Sequence, residues 1–328
     1  MIRILPTAVL ALALACIPAS AVAQMHAHAQ MQHDAHATHA AASAPMSARD
    51  SAALAEEVAA VRAATARYRD HANAVKDGYR RFGQEGPLMG EHWYRPDLVR
   101  KPLDLAHPST LQYANIGGRK VLAGVAYTVY RRPGDPVPAG FAGAADAWHT
   151  HDVAHLADVA TEDRPLLHGI VERRIRRGKV GPDGRTLLTM VHAWVWLDNP
   201  DGLFAQEHRA LPYLRAGLPA AWATGAGVDA AQGVALLPAD ACAAEVKRTA
   251  RLARTDDRQE RLLAAACLQQ AAQVRAALAR RDAASVNAAA ARAWAAYEAS
   301  RGRILTAGQL ARMERILGAA MEHEMVGM

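Results

Sequence analysis

The segment Trp148-His149-Thr150-His151-Asp152 places two imidazoles one residue apart. On an extended backbone alternate side chains share a face, so this spacing presents both rings to one side of a strand. Two more segments pair histidine with tryptophan, Met89-Gly90-Glu91-His92-Trp93 and Val191-His192-Ala193-Trp194-Val195-Trp196. Neutral imidazole is the commonest side-chain ligand for zinc, copper, iron and nickel. Imidazoles delivered by separate strands to one sheet face or barrel mouth make a transition-metal site. The expected ligands are His92, His149, His151 and His192, with Glu91 and Asp152 as a fifth ligand or as carboxylates fixing imidazole tautomers from behind. The competing reading is a polar pocket, packed by Trp and His, that holds no metal or takes a small organic ligand.

A second histidine cluster lies near the N-terminus. Residues 1–23 read as an export signal, with Arg3 as the positive end, Ala8 to Ile17 as the short apolar run and Ala21-Val22-Ala23 as the cleavage site. Cleavage there leaves Gln24-Met25-His26 at the start of the mature chain. A histidine third from a free amine binds Cu(II) or Ni(II) in square-planar nitrogen geometry. His28, His33, His36 and His39 follow, so residues 24–46 read as a flexible, His-rich, metal-capturing arm. Near the other end, Met321 and Met325 stand one helical turn apart and offer either soft thioethers or ordinary core packing. Copper is therefore the preferred ion, with zinc or nickel as alternatives.

The bulk properties narrow the partners. The formal charge of +6 on 328 residues is spread out, and the cluster Arg173-Arg174-Ile175-Arg176-Arg177 lies between candidate strands as a solvated turn face. Neither a nucleic-acid partner nor, beyond the signal, a membrane span is expected; a metal ion is the expected partner, and an oligomer remains open. Cys242 and Cys267 sit on consecutive helical patterns joined by Thr255-Asp256-Asp257. Antiparallel packing would set them opposite one another, and an exported chain permits the disulfide.

The elements that must position these groups follow from periodicity. Residues 47 to about 82 read as helix, with Ser47 or Ser51 as the cap and Leu54, Val58, Val61 and Tyr68 as the apolar stripe. His71 falls on its polar face and reads as solvated. Leu88 to Tyr94 reads as a short strand, Thr110–Ala114 and Lys120–Arg131 as a hairpin, and Ile170–Lys179 with Thr186–Leu197 as another. Residues 211–235 read as irregular. From about Pro238 Ala, Arg, Leu and Glu dominate with helical spacing, giving helices near 239–254, 257–281, 283–302 and 306–324. The expected fold is α+β: an N-terminal helix, a mainly antiparallel sheet or small barrel, and a C-terminal helical bundle. The α+β domain spans 47–236 and the helical region 237–328.

The motifs Asp77-Gly78-Tyr79, Met89-Gly90-Glu91-His92-Trp93, Trp148-His149-Thr150-His151 and His192 through Ala205 (HAWVWLDNPDGLFA) together resemble a group of secreted or periplasmic bacterial proteins without assigned function. The likeness covers roughly residues 60–215. It implies that the histidines belong to a recurring pattern and brings no activity with it. Where it leads one to expect an acidic residue followed by Asn-Trp, the chain has Gln206-Glu207-His208.

Two functional classes fit. In the first, an exported protein captures or buffers copper (or zinc or nickel) through the arm and the central cluster, in the periplasm or outside the cell. In the second, the same cluster serves a metal-dependent hydrolase or oxidoreductase, three histidines leaving an open position and Glu91 or Asp152 acting as base. A structural or oligomeric envelope protein is the third possibility. No Gly-x-Ser-x-Gly elbow and no phosphate loop occurs, and whether the protein is an enzyme stays open.

Overall fold

The computed structural model describes residues 46–86, 88–99, 103–132, 134–143, 148–152, 167, 169–170, 187–223 and 241–314. The fold is α+β. Helix α1 (Ala48–Thr65) opens it, capped by Ser47, whose Oγ accepts the Asp50 N–H at 3.1 Å. A 3-10 turn over Ala66–Arg69 leads into the short helix α2 (His71–Lys76), capped by Asp70. The long helix expected to about residue 82 stops at Lys76. The Asp77 and Tyr79 amides bond back to Asn73 and Ala74 to close it, and a strand takes over.

Among the described residues, six strands form one antiparallel sheet: β1 (Arg80–Gly86), β2 (Gly90–Tyr94), β3 (Thr110–Ile116), β4 (Arg119–Arg131), β5 (His149–Asp152) and β6 (Leu187–Ala193), in the order β1-β2-β3-β4-β6-β5. The β1–β2 connection turns at Gly90, with φ +68°, where a Cβ would stand 2.4 Å from the Tyr113 carbonyl oxygen. Only glycine fits that approach. The hairpin β3–β4 forms where expected. Of the hairpin over 170–197, the second strand forms as β6, and residues 171–186 lie outside the described residues.

Alternation gives each face its own material. On one face Leu111, Tyr113, Leu122, Val125, Tyr127, Val191 and Ala193 pack with Val61, Tyr68, Ala74 and Tyr79 from the helical layer. Buried phenols tie loops onto this layer: Tyr79 Oη donates to the Pro108 carbonyl at 2.7 Å, Tyr113 Oη to Tyr68 at 2.6 Å and Tyr127 Oη to Leu105 at 2.7 Å. Arg62 Nε donates to the Val195 carbonyl at 2.5 Å, and Trp196 Nε1 to Thr65 Oγ1 at 3.0 Å, fixing α1 against the segment that leaves β6. The opposite face carries His92, Gln112, Gly124, Ala126, Thr128, Met190, His149 and His192, as the register dictates.

Beyond β6 the chain forms helix α3 (Leu211–Arg215) and a 3-10 turn at Ala220–Ala223, where an irregular segment was expected. Among the described residues, helices α4 (Ala241–Ala253), α5 (Asp257–Leu278) and α6 (Ala283–Ile304) follow. Asp282 caps α6, accepting the Ser285 N–H at 2.7 Å. Thr306 and Gln309 exchange backbone-to-side-chain bonds as a capping box, and the chain is helical again over 307–314. Cys242 on α4 and Cys267 on α5 form a disulfide. Around it, Val274, Val286, Ala290 and Tyr297 pack with Ala210 and Tyr213 from the α3 region. Asn287 bridges the same junction: it accepts Tyr213 Oη at 2.5 Å and donates to the Trp222 carbonyl at 3.0 Å. Among the described residues, no helix is long and apolar enough to cross a membrane.

Candidate functional site

The sheet register arranges the histidines in successive rows of one face. His92 pairs with Gln112, which pairs with Gly124. One row further, Thr110 pairs with Ala126 and Ala126 with His192. The next row runs Thr128, Met190, His149. Each row thus supplies one imidazole. Strands β2 and β6 are three strand spacings apart, about 14 Å on a flat sheet. Yet the His92 and His192 ring centroids lie 5.5 Å apart. The rings lean together across the rows that carry Gly124 and Ala126, where there is little side-chain bulk between them. A register shift between Gln112 and Tyr113 adds local twist at the same place. The His149 ring stands perpendicular to His192 with centroids 5.0 Å apart.

His192 is the innermost member. It is fully buried, and its Nδ1–H donates to the Gln206 carbonyl at 2.8 Å, which fixes the tautomer and leaves the lone pair on Nε2. Nε2 is buried with no hydrogen-bond partner among the described residues. Burial, and to a smaller extent the neighbouring His92, hold its pKa down to about 3 against the opposing pull of the Gln206 bond, so the ring is neutral at physiological pH. An orphaned buried acceptor of this kind costs about 1–3 kcal/mol. Gln112, with both amide atoms, and Thr128, with Oγ1, add further partnerless buried groups to the same face among the described residues. His92 and His149 are half-buried.

Glu91 does not join them. Being one residue from His92 on a strand, it faces the helical layer, where Trp93 Nε1 donates to it at 2.9 Å, Asn115 Nδ2 at 3.3 Å, and Lys120 and Arg81 pair with it. Burial pushes its pKa up, but Lys120, Trp93 and Arg81 together outweigh that and hold the carboxylate below its ordinary range. It is a satisfied ion-pair partner, and neither a ligand nor a base for the imidazoles. His71 is not solvated as its position suggested. Its ring packs edge-on against Trp93 at 4.1 Å and Tyr113 at 4.9 Å, and burial with nearby Lys120 lowers its pKa.

His151 and Asp152 occupy β5 opposite Leu188 and Leu187, and their side chains lie outside the described residues. His26, His28 and the whole of residues 24–45 also lie outside them, as do Met321 and Met325. Among the described residues, no three His, Cys, Asp or Glu side chains are already gathered as a metal-holding group. His92 and His149 each stand ring to ring with His192.

Sequence reasoning missed His208. It is fully buried against Trp194, ring centroids 4.9 Å apart, and Trp194 in turn lies 6.1 Å from His192. Burial holds its pKa down to about 4, although backbone groups, its own and those of Leu197 and Asp198, push the other way. Neither ring nitrogen makes a well-formed hydrogen bond among the described residues. Its placement comes from the backbone: the His208 N–H donates to the Leu88 carbonyl at 2.7 Å. No protein-family model, curated protein or solved structure matches the chain.

Proposed function

We propose that this is an exported transition-metal-binding protein, copper preferred over zinc or nickel, in which His92, His149 and His192 supply the ligands. The observation that carries the reading is the state of His192: Nδ1–H is committed to a backbone carbonyl while a neutral, buried Nε2 has no partner among the described residues. Metal-ligating histidines are held in this way, by a carbonyl or carboxylate behind the ring. Among the described residues, the rings of His92 and His149 lie 5.5 and 5.0 Å from that of His192. Metal binding would require the His92 and His149 rings to turn toward His192 Nε2 about the histidine χ2 torsion, which is broad. Met190, the cross-strand partner of His149 on the same face, offers a soft thioether and favours copper. The disulfide accords with export to the periplasm or beyond, and His26 and His28 in the arm would capture the ion. We read the Trp/His motifs as a pattern shared with the secreted group they resemble.

The test is elemental analysis of untagged mature protein, with and without residues 24–45. One equivalent of copper is expected to persist without the arm, to be lost in His192→Ala, and to bind more weakly in His92→Ala and His149→Ala. If the double variant His92→Ala/His149→Ala carried the same metal at the same stoichiometry, the ligand assignment would be wrong.

A further inference from the structure

Near the end of α6 three charged side chains meet across the seam with α4. Arg301 pairs through Nη2 with Glu298 of its own helix, and Nη1 faces Glu245 of α4 at 3.7 Å. Side-chain exposures of 12% for Glu245, 17% for Arg301 and 24% for Glu298 leave little water between them. Two carboxylates thus share one guanidinium. With both ionised the cluster carries an excess negative charge, which is costly to bury. The two carboxylates are not equivalent. Glu245 Oε1 accepts a hydrogen bond from Thr249 Oγ1 at 3.1 Å in addition to facing Arg301. Glu298 Oε1 is buried with no hydrogen-bond partner among the described residues. Ionised, that oxygen has no donor to compensate it; protonated, the side chain sheds its charge and most of the penalty.

We propose that Glu298 is a proton-operated latch on the seam between α6 and α4, closed in mild acid by a proton on Oε1 and loosened when that proton leaves and two carboxylates face Arg301. The surrounding elements supply no charge that would replace the proton. Glu245 and Arg301 are the charged groups that act on Glu298 among the described residues. The buried residues of α5 carry no charge. Lys247 and Arg251 of α4 line the groove towards α5, and Arg312 donates to the Leu252 carbonyl at 2.9 Å. Tyr297, beside Glu298 on α6, is fully buried, and burial pushes its phenol up, so it stays neutral. Burial likewise pushes the Glu298 pKa up to about 7; Arg301 pulls it down, and Glu245 adds to the rise. Between the ordinary 4.5 and about 7 the native chain binds a proton that the unfolded chain does not. Stability from this group is therefore complete below about pH 4.5 and is lost as the pH rises through about 7, the reverse of a buried neutral histidine. The Cys242–Cys267 disulfide keeps α4 on α5, so the loosening falls between α4 and α6.

Urea denaturation and amide hydrogen exchange of the full-length mature chain at about pH 6 and about pH 8 are the test, exchange rates being corrected for their intrinsic pH dependence. Glu298→Gln keeps the shape of the protonated side chain and cannot ionise, and comparison with it cancels every other titrating group. From the lower pH to the higher, the folding equilibrium constant of the wild type relative to Glu298→Gln should fall by about tenfold. Corrected exchange in α4 and α6 should quicken in the wild type alone. Glu245→Gln removes one of the two carboxylates and should make the fall smaller. Parallel pH dependence in wild type and Glu298→Gln would overturn the latch, and a fall of full size in Glu245→Gln would overturn the shared guanidinium. If Glu298→Gln does not fold, carbon-13 titration of the Glu298 carboxyl in the wild type decides: a midpoint near neutrality supports the latch, and an ordinary carboxylate midpoint overturns it.

Discussion

His192 Nδ1 lies 2.8 Å from the Gln206 carbonyl oxygen, so the loop that follows Phe204 sets which nitrogen of the innermost imidazole carries the proton. With Nδ1–H engaged and Nε2 buried, adding a second proton means placing a charge in the core. The native pKa is held to about 3 against an ordinary value of 6.5. Between those limits the unfolded chain binds a proton that the native chain does not. Stability from this group is thus complete above about pH 6.5 and is lost as the pH falls towards 3. The expected slope is at most about 1.4 kcal/mol per pH unit. Urea denaturation of the metal-free protein at several pH values, beside His192→Gln, should show the wild-type slope steeper by about that amount. Parallel slopes would contradict it.

Gly124, like Gly90, is a place where the sheet has no room for a side chain. A methyl group there meets a backbone oxygen of Ala193 and Cα of Trp194 as well as Gln112. Backbone cannot step aside as a flexible side chain can. Gly124→Ala should destabilise the fold by about 1–3 kcal/mol, measured by chemical denaturation, and should weaken copper binding because it parts β4 from β6.

His208 offers the opposite expectation. It is buried against Trp194 without a well-formed side-chain hydrogen bond among the described residues, and it is not one of the three imidazoles that meet. His208→Leu removes a buried polar group at little cost in volume. Its stability at pH 7 should stay within about 1 kcal/mol of wild type, with copper stoichiometry intact. Loss of copper in this variant would place His208 among the ligands.

The disulfide closes a loop of 25 residues between α4 and α5. Chain-entropy arithmetic for a loop of that length gives about 3.5 kcal/mol. The double variant Cys242→Ser/Cys267→Ser should lose about that much stability by denaturant titration. Its effect should fall on the helical region, whose core lies directly round the two sulfurs.

The elements that could be read from the sequence were those whose local and tertiary preferences agree. The strands carrying His92, His149 and His192, the β3–β4 turn, the cap at Asp282, the Thr306 box and the Cys242–Cys267 pairing all have a period, a cap or a partner visible in the chain. Strand β1 has none. Arg80-Arg81-Phe82-Gly83-Gln84-Glu85-Gly86 is polar and glycine-rich, and it becomes a strand only because β2 offers its edge. Gln112 and His208 carry no signal of their own. A glutamine on a strand reads as solvent-facing, yet Gln112 is fully buried beside Gly124. His208 is buried by a backbone bond to Leu88, far away in sequence. Glu91 misled for a simple reason: proximity to His92 along a strand means separation by the thickness of the sheet.

Hydrogen ions and metal ions seek the same lone pair on an imidazole. Where a ring is in water, mild acid is enough for the hydrogen ion to win it. The desolvation around His192 raises the cost of that capture. A chain built this way would keep its inner nitrogen unprotonated through an acidifying environment, at a pH where an imidazole in water already carries its second proton.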